Sequence, residues 1–293
     1  VANLFGWWQE KRRVTRRAFI SVARKNGKST LTSGLALKAL FADGEAGPQV
    51  ICVATSRDQA RIVFTEAAMM TEQSAKLRGL GYVYRSELRC PGNRGRFWAA
   101  GADSARLWGY SLSCAIVDEL HAHKDRRLWD AVATSMVARD NPLLVAISTA
   151  GEDESRLFDE MRTTAQLVAE GSEDLDAFFG FDCYVPDDAD FHDPAVWPAA
   201  NPSLGVTIMP DDLATACHRA LADPHHGLFR RTQVAAPGPG RARTIVLPHR
   251  IPPPRIDLPA PELNRTCLRL VLDSAIDTGY QSRDISIRSR KTT

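Results

Sequence analysis

A Gly-Lys-Ser triplet at residues 27–29 has the residue types that bind a phosphate chain. The triplet follows an apolar run at residues 18–23, which predicts a buried strand, and it opens a helical pattern at residues 28–41. At such a junction the backbone N–H groups and the helix N-terminus attract negative charge. In this arrangement the amine of Lys28 reaches the β- and γ-phosphates of a nucleotide, and the hydroxyl of Ser29 is available to Mg²⁺.

The full phosphate-loop pattern G-x-x-x-x-G-K-[ST] is incomplete, because Val22 stands where its first glycine belongs. We define residues 22–27 as the phosphate loop. A chance match to so short a triplet stays open until a second motif supports it. The residues predicted to bind the nucleotide are Arg24, Lys25, Asn26, Gly27, Lys28, Ser29, Thr30 and, from the second motif, Asp118.

The second motif is the acidic pair Asp118-Glu119, which follows an apolar run at residues 113–117. In an open parallel sheet, ligands bind outside the carboxyl ends of the strands, so we expect this pair beside the phosphate loop. Asp118 is suited to hold Mg²⁺, and Glu119 is suited to act as the general base that activates water. An ordinary acidic strand end is the alternative, which the presence of both motifs in one chain disfavours.

A third segment and one residue of the phosphate loop complete the predicted site. Ser148 and Thr149, followed by Ala150, come after the apolar run at residues 143–147, where small hydroxyl residues can sense the loss of a γ-phosphate. A plain turn is the alternative there. Arg24 is suited to neutralise transition-state charge as an arginine finger, although a solvent-facing loop arginine is the alternative. The predicted catalytic residues are Glu119, Arg24 and Lys28, and the predicted Mg²⁺ ligands are Ser29 and Asp118.

Short apolar runs alternate with helical patterns through the first 170 residues, which is typical of βαβ units around a parallel sheet. Strands are predicted at 18–23, 49–54, 113–117 and 143–147, with short strands between 81 and 100, and helices at 28–41, 57–70, 125–139 and 155–170. This order predicts an α/β fold of the P-loop NTPase type (RecA-like, ASCE), with a central, mainly parallel β-sheet flanked by helices.

The composition changes twice after the last of these helices. Residues 172–233 contain a predicted strand at 178–185, a Pro-rich acidic stretch and a predicted helix at 211–222. Residues 234–293 contain 10 basic and 5 acidic residues and no amphipathic period, which indicates an irregular Pro/Arg-rich tail. We therefore expect a P-loop ATPase domain at 1–171, a small linker subdomain at 172–233 and the tail at 234–293.

The composition excludes several classes of protein. A hydrophobic fraction of 44% and a charged fraction of 25% are typical of globular chains, not of disordered, collagenous or coiled-coil ones. No apolar run approaches the roughly 20 residues of a membrane span, and no signal peptide is predicted. The six cysteines are scattered, so we expect a reduced, cytoplasmic protein. His121 and His123 lack further ligands at suitable spacing, and we interpret them as hydrogen-bonding or surface residues.

With these motifs in this order, the chain resembles the large subunit of tailed-bacteriophage terminase, the ATP-driven DNA-packaging motor. The resemblance covers about residues 3–233. The segments that carry it are Phe5-Gly6-Trp7, Ala23–Ser29, Ala54–Ala60, Ile116–Ala122, Ala138–Leu143, Ser148–Gly151 and Asn201-Pro202-Ser203-Leu204-Gly205.

The resemblance implies ATP and Mg²⁺ as the bound cofactors. Terminases often replace the first glycine of the loop and carry an arginine at the position of Arg24, so Val22 is normal for the group. Ser148, Thr149 and Ala150 correspond to the motif that couples hydrolysis to DNA movement. The implied partners are double-stranded DNA, a small terminase subunit and a portal protein. A homo-oligomeric ring at the procapsid, in the host bacterial cytoplasm and away from membranes, is also implied.

Two departures from the family pattern affect the expectations. The adenine-contacting glutamine segment is expected upstream of Phe5-Gly6-Trp7, and Gln9 lies on the wrong side of it. The RNase H-like nuclease that follows in the family is not recognisable after Gln233, and Asp273 with Asp277 matches its first strand only faintly. We expect a tail that is truncated or read out of frame, with no nuclease activity and no nuclease metal site.

Two competing interpretations remain open at the level of the sequence. A superfamily 2 helicase-like ATPase uses similar motifs on parallel strands, but residues 172–293 show no second βαβ series. The second interpretation is an inactive prophage remnant that only binds DNA or packaging partners.

Overall fold

The computed structural model describes residues 2–102, 109–123, 125–149, 155–171, 175–185 and 189–221, together with residues 229 and 234. The strands are β1 (Trp8–Gln9), β2 (Arg12–Arg13), β3 (Arg17–Ser21), β4 (Gln49–Ala54), β5 (Tyr82–Val83), β6 (Glu87–Cys90), β7 (Gly95–Gly101), β8 (Cys114–Asp118), β9 (Leu143–Ser148) and β10 (Phe178–Asp182). The helices are α1 (Ala2–Phe5), α2 (Lys28–Phe41), α3 (Arg57–Gln73), α4 (Ala75–Arg78), α5 (Arg127–Ser135), α6 (Arg156–Ala169), α7 (Trp197–Ala200) and α8 (Pro210–Leu221). Short 3₁₀ turns lie at Leu120–Ala122 and Pro194–Val196.

Eight of the described strands form one sheet in the order β10-β3-β9-β8-β4-β7-β6-β5. The strands from β10 to β7 pair in parallel, and β6 and β5 extend the sheet antiparallel beyond β7. β1 and β2 form a separate antiparallel ribbon. The predicted α/β fold with a mainly parallel central sheet and flanking helices is confirmed.

The sheet is covered on both faces, which explains why its central strands are almost continuously apolar. Along β4, Val50 and Cys52 belong to the core beneath α2 and α3, whereas Ile51 and Val53 belong to the core beneath α5 and α6. This alternation follows from the two-residue period of a strand. All six residues of β9 are buried, so the strand that precedes Ser148 is fixed from both sides.

The position of α2 is set at its start and near its middle. It begins at Lys28 because Gly27 has a φ of 71°, a left-handed conformation that glycine adopts without steric cost. Near its middle, the hydroxyl of Ser33 donates to the carbonyl of Val63 in α3 at 2.9 Å. The phosphate loop is therefore held between a buried strand and a buried helix.

The last strand of the sheet lies beyond the boundary that the sequence analysis draws at residue 171. β10 pairs in parallel with β3, from Phe178 opposite Arg17 to Asp182 opposite Ser21. Arg162 of α6 binds the buried carboxylate of Asp182 in a bidentate pair of 2.6 and 3.1 Å. Residues 175–182 thus complete the sheet, because α6 is a crossover helix that returns the chain to it.

The largest differences from the predicted lengths are in two elements, both shorter in the structure. The strand predicted at 178–185 ends at Asp182. The helix predicted at 125–139 covers only Arg127–Ser135. Beyond it the guanidinium of Arg139 donates to the carbonyls of Ser111 and Gly47, and these contacts turn the chain out of the helix.

We call residues 189–221 the linker segment. Its buried Trp197, Ile208 and Leu213 belong to a third apolar cluster, which also contains Ala23 of the phosphate loop and Tyr184 and Val185 after β10. Within the described residues, no helix is long and apolar enough to cross a membrane. The predicted tail, apart from Val234, lies outside the described residues, and the boundary at residue 233 stays a prediction.

A buried ion cluster lies at the end of the sheet opposite the phosphate loop. The carboxylate of Asp43 pairs with the guanidinium of Arg13 and with the amine of Lys38, and all three side chains are at most 3% exposed. Phe5 packs against both cations. Burial raises the pKa of Asp43, but Arg13 and then Lys38 outweigh it, so the pKa is lowered overall.

We expect Asp43→Asn to lower the free energy of unfolding by about 3–5 kcal/mol, because it leaves two buried cations without a counter-ion. Urea unfolding measures this change. The matched control is Asp130→Asn, which removes an exposed partner of Arg126 and should cost about 0–1 kcal/mol. Because the pKa of Asp43 is lowered, its ion pairs should stabilise the fold fully at a pH above the ordinary pKa of a carboxyl group. This contribution should be lost as the pH falls through the lowered pKa of Asp43. Equal losses in the two variants would contradict the assignment.

Candidate nucleotide-binding site

The structure brings the three predicted motifs to the carboxyl ends of three neighbouring strands. β3, β9 and β8 are adjacent in the sheet, and they end in the phosphate loop, in Ser148-Thr149 and in Asp118-Glu119. The backbone N–H of Val22 donates to the carbonyl of Ser148 at 3.2 Å, which joins two of these ends directly. Ala150 lies outside the described residues. The carboxyl edge of a parallel sheet is the usual location of a ligand site.

The backbone of the phosphate loop is bent by two left-handed residues. Lys25 and Gly27 have φ values of 70° and 71°, and a left-handed residue within such a turn directs successive N–H groups into a concavity that accepts anions. The side chains of Arg24 and Lys25 are exposed. A Cβ added to Gly27 would meet no atom within 4 Å, so the glycine is required by its φ and not by crowding.

Lys28 faces the acidic pair across the site. Its amine makes one long hydrogen bond, 3.4 Å to the carbonyl of Ala23. Burial lowers the pKa of Lys28, while the carboxylates of Glu119 and Asp118 oppose that effect by favouring the charged amine. The Lys28 amine is thus weakly hydrogen-bonded among the described residues, and it is free to bind a phosphate group.

Asp118 and Glu119 have different electrostatic environments although they are consecutive. Burial, followed by the charge of Glu119, raises the pKa of Asp118 to about 6, and the hydrogen bond that its Oδ1 accepts from the N–H of Glu119 at 2.9 Å opposes this. Burial also raises the pKa of Glu119, but His121, Lys28 and Arg24 outweigh it and lower the pKa overall. Glu119 is therefore ionised at neutral pH, as a general base must be.

Glu119 is held in an unusual backbone conformation. Its φ of 49° and ψ of 54° are left-handed, which is rare for a residue other than glycine and is concentrated at functional sites. Its Oε2 is buried and pairs with His121, whose Nδ1 lies 3.2 Å away. A buried, ionised carboxylate oxygen beside a histidine can accept a proton from water.

His121 connects the acidic pair to the end of β9, a link that the sequence analysis missed. Ser148 Oγ donates its one proton to the carbonyl of Thr149 at 2.8 Å. It therefore accepts from His121, from the backbone N–H at 3.1 Å and from Nδ1–H at 2.8 Å. The interpretation of His121 as a hydrogen-bonding residue is compatible with this position. A histidine three residues after an acidic strand end was the available signal, but its partner lies 27 residues away.

Ser29 and Thr30 differ in where their hydroxyls can act. The hydroxyl of Thr30 donates to the carboxylate of Glu66 in α3, on the side of α2 that faces that helix. Ser29 is half-buried in the first turn of α2, and its carbonyl accepts a hydrogen bond from Ser33 at 2.8 Å. The Thr30 hydroxyl is therefore occupied, whereas the Ser29 hydroxyl makes no hydrogen bond with another described residue.

Comparison with known proteins identifies the family to which this arrangement belongs. The family model described as "Terminase large subunit, ATPase domain" matches residues 1–166. The chain belongs to this family.

Two curated relatives and one solved structure match between 38% and 75% of this chain. The large terminase subunit of Enterobacteria phage HK97 is 30% identical over 213 residues, which is 70% of this chain and 41% of that protein. The crystal structure of the HK97 large terminase aligns with a TM-score of 0.67 at 31% identity, covering 75% of this chain and 46% of that one. Protein YmfN of Escherichia coli K12 is 37% identical over 113 residues, which is 38% of this chain and 25% of that protein.

The similarity to more distant terminases concerns the fold alone. The ATPase domain of the Thermus phage P74-26 large terminase aligns with a TM-score of 0.55 at 21% identity, covering 79% of this chain and 95% of that one. The chain spans less than half the length of the curated relatives it matches. These matches favour neither the helicase-like ATPase nor the inactive remnant.

The Asn201–Gly205 segment, one of those that carry the terminase resemblance, contacts the phosphate loop. The amide Nδ2 of Asn26 donates to Oδ1 of Asn201 at 2.9 Å, and Oδ1 of Asn26 accepts from the backbone N–H of Ser203 at 3.1 Å. His123, by contrast, is buried and binds the carbonyl of Asp118 with Nε2 at 3.2 Å. Among the described residues, no group of three or more His, Cys, Asp and Glu is placed to hold a metal ion.

The raised pKa of Asp118 predicts a pH dependence for Mg²⁺ binding in this terminase-family site. We expect the Mg²⁺ affinity measured with ADP to fall as the pH drops through about 6, because the protonated carboxyl cannot bind a cation. Because the pKa of Asp118 is raised in the fold, the metal-free protein should lose stability as the pH rises from the ordinary carboxyl pKa to about 6. Titration calorimetry across about pH 5 to 8 measures the affinity. The step should vanish in Asp118→Asn, and its persistence there would assign it to another group.

Proposed function

We propose that this chain hydrolyses ATP with Mg²⁺, and that the hydrolysis drives double-stranded DNA into a procapsid. The observation that carries the proposal is the meeting of the phosphate loop, Asp118-Glu119 and Ser148-Thr149 at adjacent strand ends. Membership of the terminase ATPase family supports it. A site with a phosphate-binding loop, a metal ligand and an ionised base contains the groups that hydrolysis requires.

Each residue has a role that its surroundings support. The N–H groups of the loop and the amine of Lys28 bind the phosphates, and the left-handed Lys25 and Gly27 orient those N–H groups. Ser29 and Asp118 would hold Mg²⁺, which neutralises the charge of the β- and γ-phosphates. Glu119, whose lowered pKa keeps it ionised, accepts a proton from the attacking water.

Arg24 and Ser148 have roles around this centre. The exposed guanidinium of Arg24 is close enough to Lys28 and Glu119 to influence the pKa of both, so it can neutralise charge that develops on the γ-phosphate. The hydrogen bonds from His121 to Ser148 offer a route by which a change at Glu119 reaches β9. We propose that Ser148, Thr149 and Ala150 couple hydrolysis to DNA movement.

The proposed partners are those expected for a terminase large subunit, the kind of protein that the HK97 relative is. We propose double-stranded DNA as the moved substrate, a small terminase subunit and a portal protein as partners, and a homo-oligomeric ring as the working assembly. The host cytoplasm is the proposed location. For residues 234–293 the expectation of no nuclease activity stays a prediction.

Steady-state ATP turnover of the full chain, with and without linear double-stranded DNA, tests the proposed function. We expect Mg²⁺-dependent turnover that DNA increases. Removing the metal with a chelator should abolish turnover, and added Mg²⁺ should restore it. Zero turnover at every DNA concentration, with Mg²⁺ present, would instead favour a remnant that only binds DNA or packaging partners.

A further inference from the structure

The linker segment is attached directly to the phosphate loop, through three residues of that loop. Besides the two bonds of the Asn26 amide, the hydroxyl of Thr207 donates to the carbonyl of Lys25 at 2.9 Å. The backbone N–H of Ala23 also donates to the carbonyl of Ala200 at 3.4 Å. The loop that would wrap the phosphates is therefore bonded on its other side to a segment about 175 residues later in the chain.

Asn26 holds the loop and the linker segment together with both ends of one amide group. Its Nδ2 also donates to the carbonyls of Ala23 at 3.1 Å and Arg24 at 3.4 Å, so the same side chain closes the loop on itself. On the linker side, Asn201 is 1% exposed and is anchored by Nδ2, which donates to the carbonyl of Trp197 at 3.2 Å. A buried, hydrogen-bonded anchor thus meets the loop of the nucleotide site.

We propose that the Asn26–Asn201 amide pair couples nucleotide binding at the phosphate loop to the ordering of the linker segment. The inference rests on the proposed function, because it names a regulation of that same site. Asn26 and Asn201 are positioning residues: they hold the backbone of residues 23–27 in the conformation that directs its N–H groups towards a phosphate. The reacting groups, Lys28 and Glu119, make no contact with either amide.

The coupling follows from the cost of ordering the loop. A loop already held by the linker segment loses less conformational freedom when a nucleotide binds, so the bonded state binds more tightly. By linkage, a bound nucleotide must stabilise the bonded state by the same factor. Binding of nucleotide should therefore protect the linker segment, and loosening of the linker segment should weaken nucleotide binding.

Calorimetry with Mg²⁺ and ADP on the full chain tests the first direction of the linkage. Asn26→Ala should weaken affinity by about 3- to 10-fold, which is the range for the net loss of a hydrogen bond or two. The double variant Asn26→Ala/Asn201→Ala should be little weaker than Asn26→Ala, because the two residues act as one unit. In ATP turnover the loss should appear in KM, with kcat changed by less than about threefold, since the reacting groups are intact.

The linker segment offers a matched pair of variants that should fold even if Asn201→Ala does not. Thr207→Val removes the bond to the Lys25 carbonyl, and Thr215→Val removes a hydroxyl of the same type that bonds only to Asp211 within α8. Both threonines are exposed. Thr207→Val should weaken the binding of ADP measurably, and Thr215→Val should leave it unchanged. Equal affinities for the two variants would overturn the coupling.

Hydrogen exchange of residues 197–208, with and without ADP and Mg²⁺, tests the second direction. We expect ADP to slow exchange there in the wild-type chain, and to slow it less in Asn26→Ala at equal saturation. If the wild-type chain binds ADP without any change of exchange in this segment, the coupling is wrong and the proposed function stands. If the wild-type chain binds no nucleotide at all, the proposed function fails and the coupling fails with it.

Discussion

Lys28→Ala should bind ATP so weakly that turnover falls below detection. Lys28 interacts electrostatically with both Glu119 and Asp118, and among the described residues its amine makes one long hydrogen bond, so its charge is available to the phosphates. Loss of a charge-assisted bond of about 1.5–3 kcal/mol corresponds to a drop in affinity of roughly 10- to 150-fold. The variant also leaves Asp118 and Glu119 facing the phosphates without a compensating cation, which adds repulsion.

Calorimetry with ADP and steady-state ATP turnover together measure this effect. The control is Lys76→Ala, which makes the same substitution at an exposed lysine of α4, remote from the three strand ends of the site. We expect the control to keep the affinity and the turnover of the wild-type chain. A Lys28→Ala variant that retained either would show that the phosphate loop does not bind the nucleotide.

The parts of the site that sequence reasoning predicted are those that follow from local pattern and from sheet topology. The strand before residue 22, the glycine before Lys28 and the strand before Asp118 are each visible within a few residues of sequence. The rule that parallel strands share a carboxyl edge then predicts that the motifs meet, and the structure brings them together. The start of α2 at Lys28 is confirmed to the residue, because Gly27 determines it.

The parts that could not be predicted depend on contacts between distant segments. Nothing near Asn26 indicates that its amide binds Asn201, and nothing near His121 indicates Ser148 as its partner. The left-handed backbone of Glu119 is likewise invisible in the sequence, since glutamate does not favour that conformation. The occupation of the Thr30 hydroxyl by Glu66 also required the packing of two helices.

The boundary at residue 171 illustrates the same limit in the fold. A change of composition after a helix indicated the end of a domain, but the next strand pairs with β3 and belongs to the sheet. Pairing partners in a parallel sheet are separated by whole crossovers, so composition near the boundary holds no information about them. The bidentate bond of Arg162 to Asp182 is what fixes β10 in place, and it joins residues 20 apart.

Glu119→Gln should keep nucleotide affinity and lose hydrolysis. The substitution preserves the size of the side chain and leaves Lys28, Asp118 and the phosphate loop unchanged, so the groups that bind phosphate remain. It removes the proton acceptor, and loss of a general base lowers the rate by about 10²- to 10⁴-fold. Because the pKa of Glu119 is lowered, the wild-type rate should not depend on its titration at neutral pH.

Single-turnover hydrolysis of ATP, with affinity for ADP measured in parallel, separates binding from chemistry in this variant. Glu160→Gln is the matched control, since Glu160 is an exposed carboxylate whose recorded partner is Arg126. A rate for Glu119→Gln within threefold of the wild type would remove Glu119 from the mechanism. Loss of both affinity and rate would instead assign Glu119 a part in holding the nucleotide. The distinction matters because the lowered pKa of Glu119 and its left-handed backbone fit a role in proton transfer, which binding alone does not require.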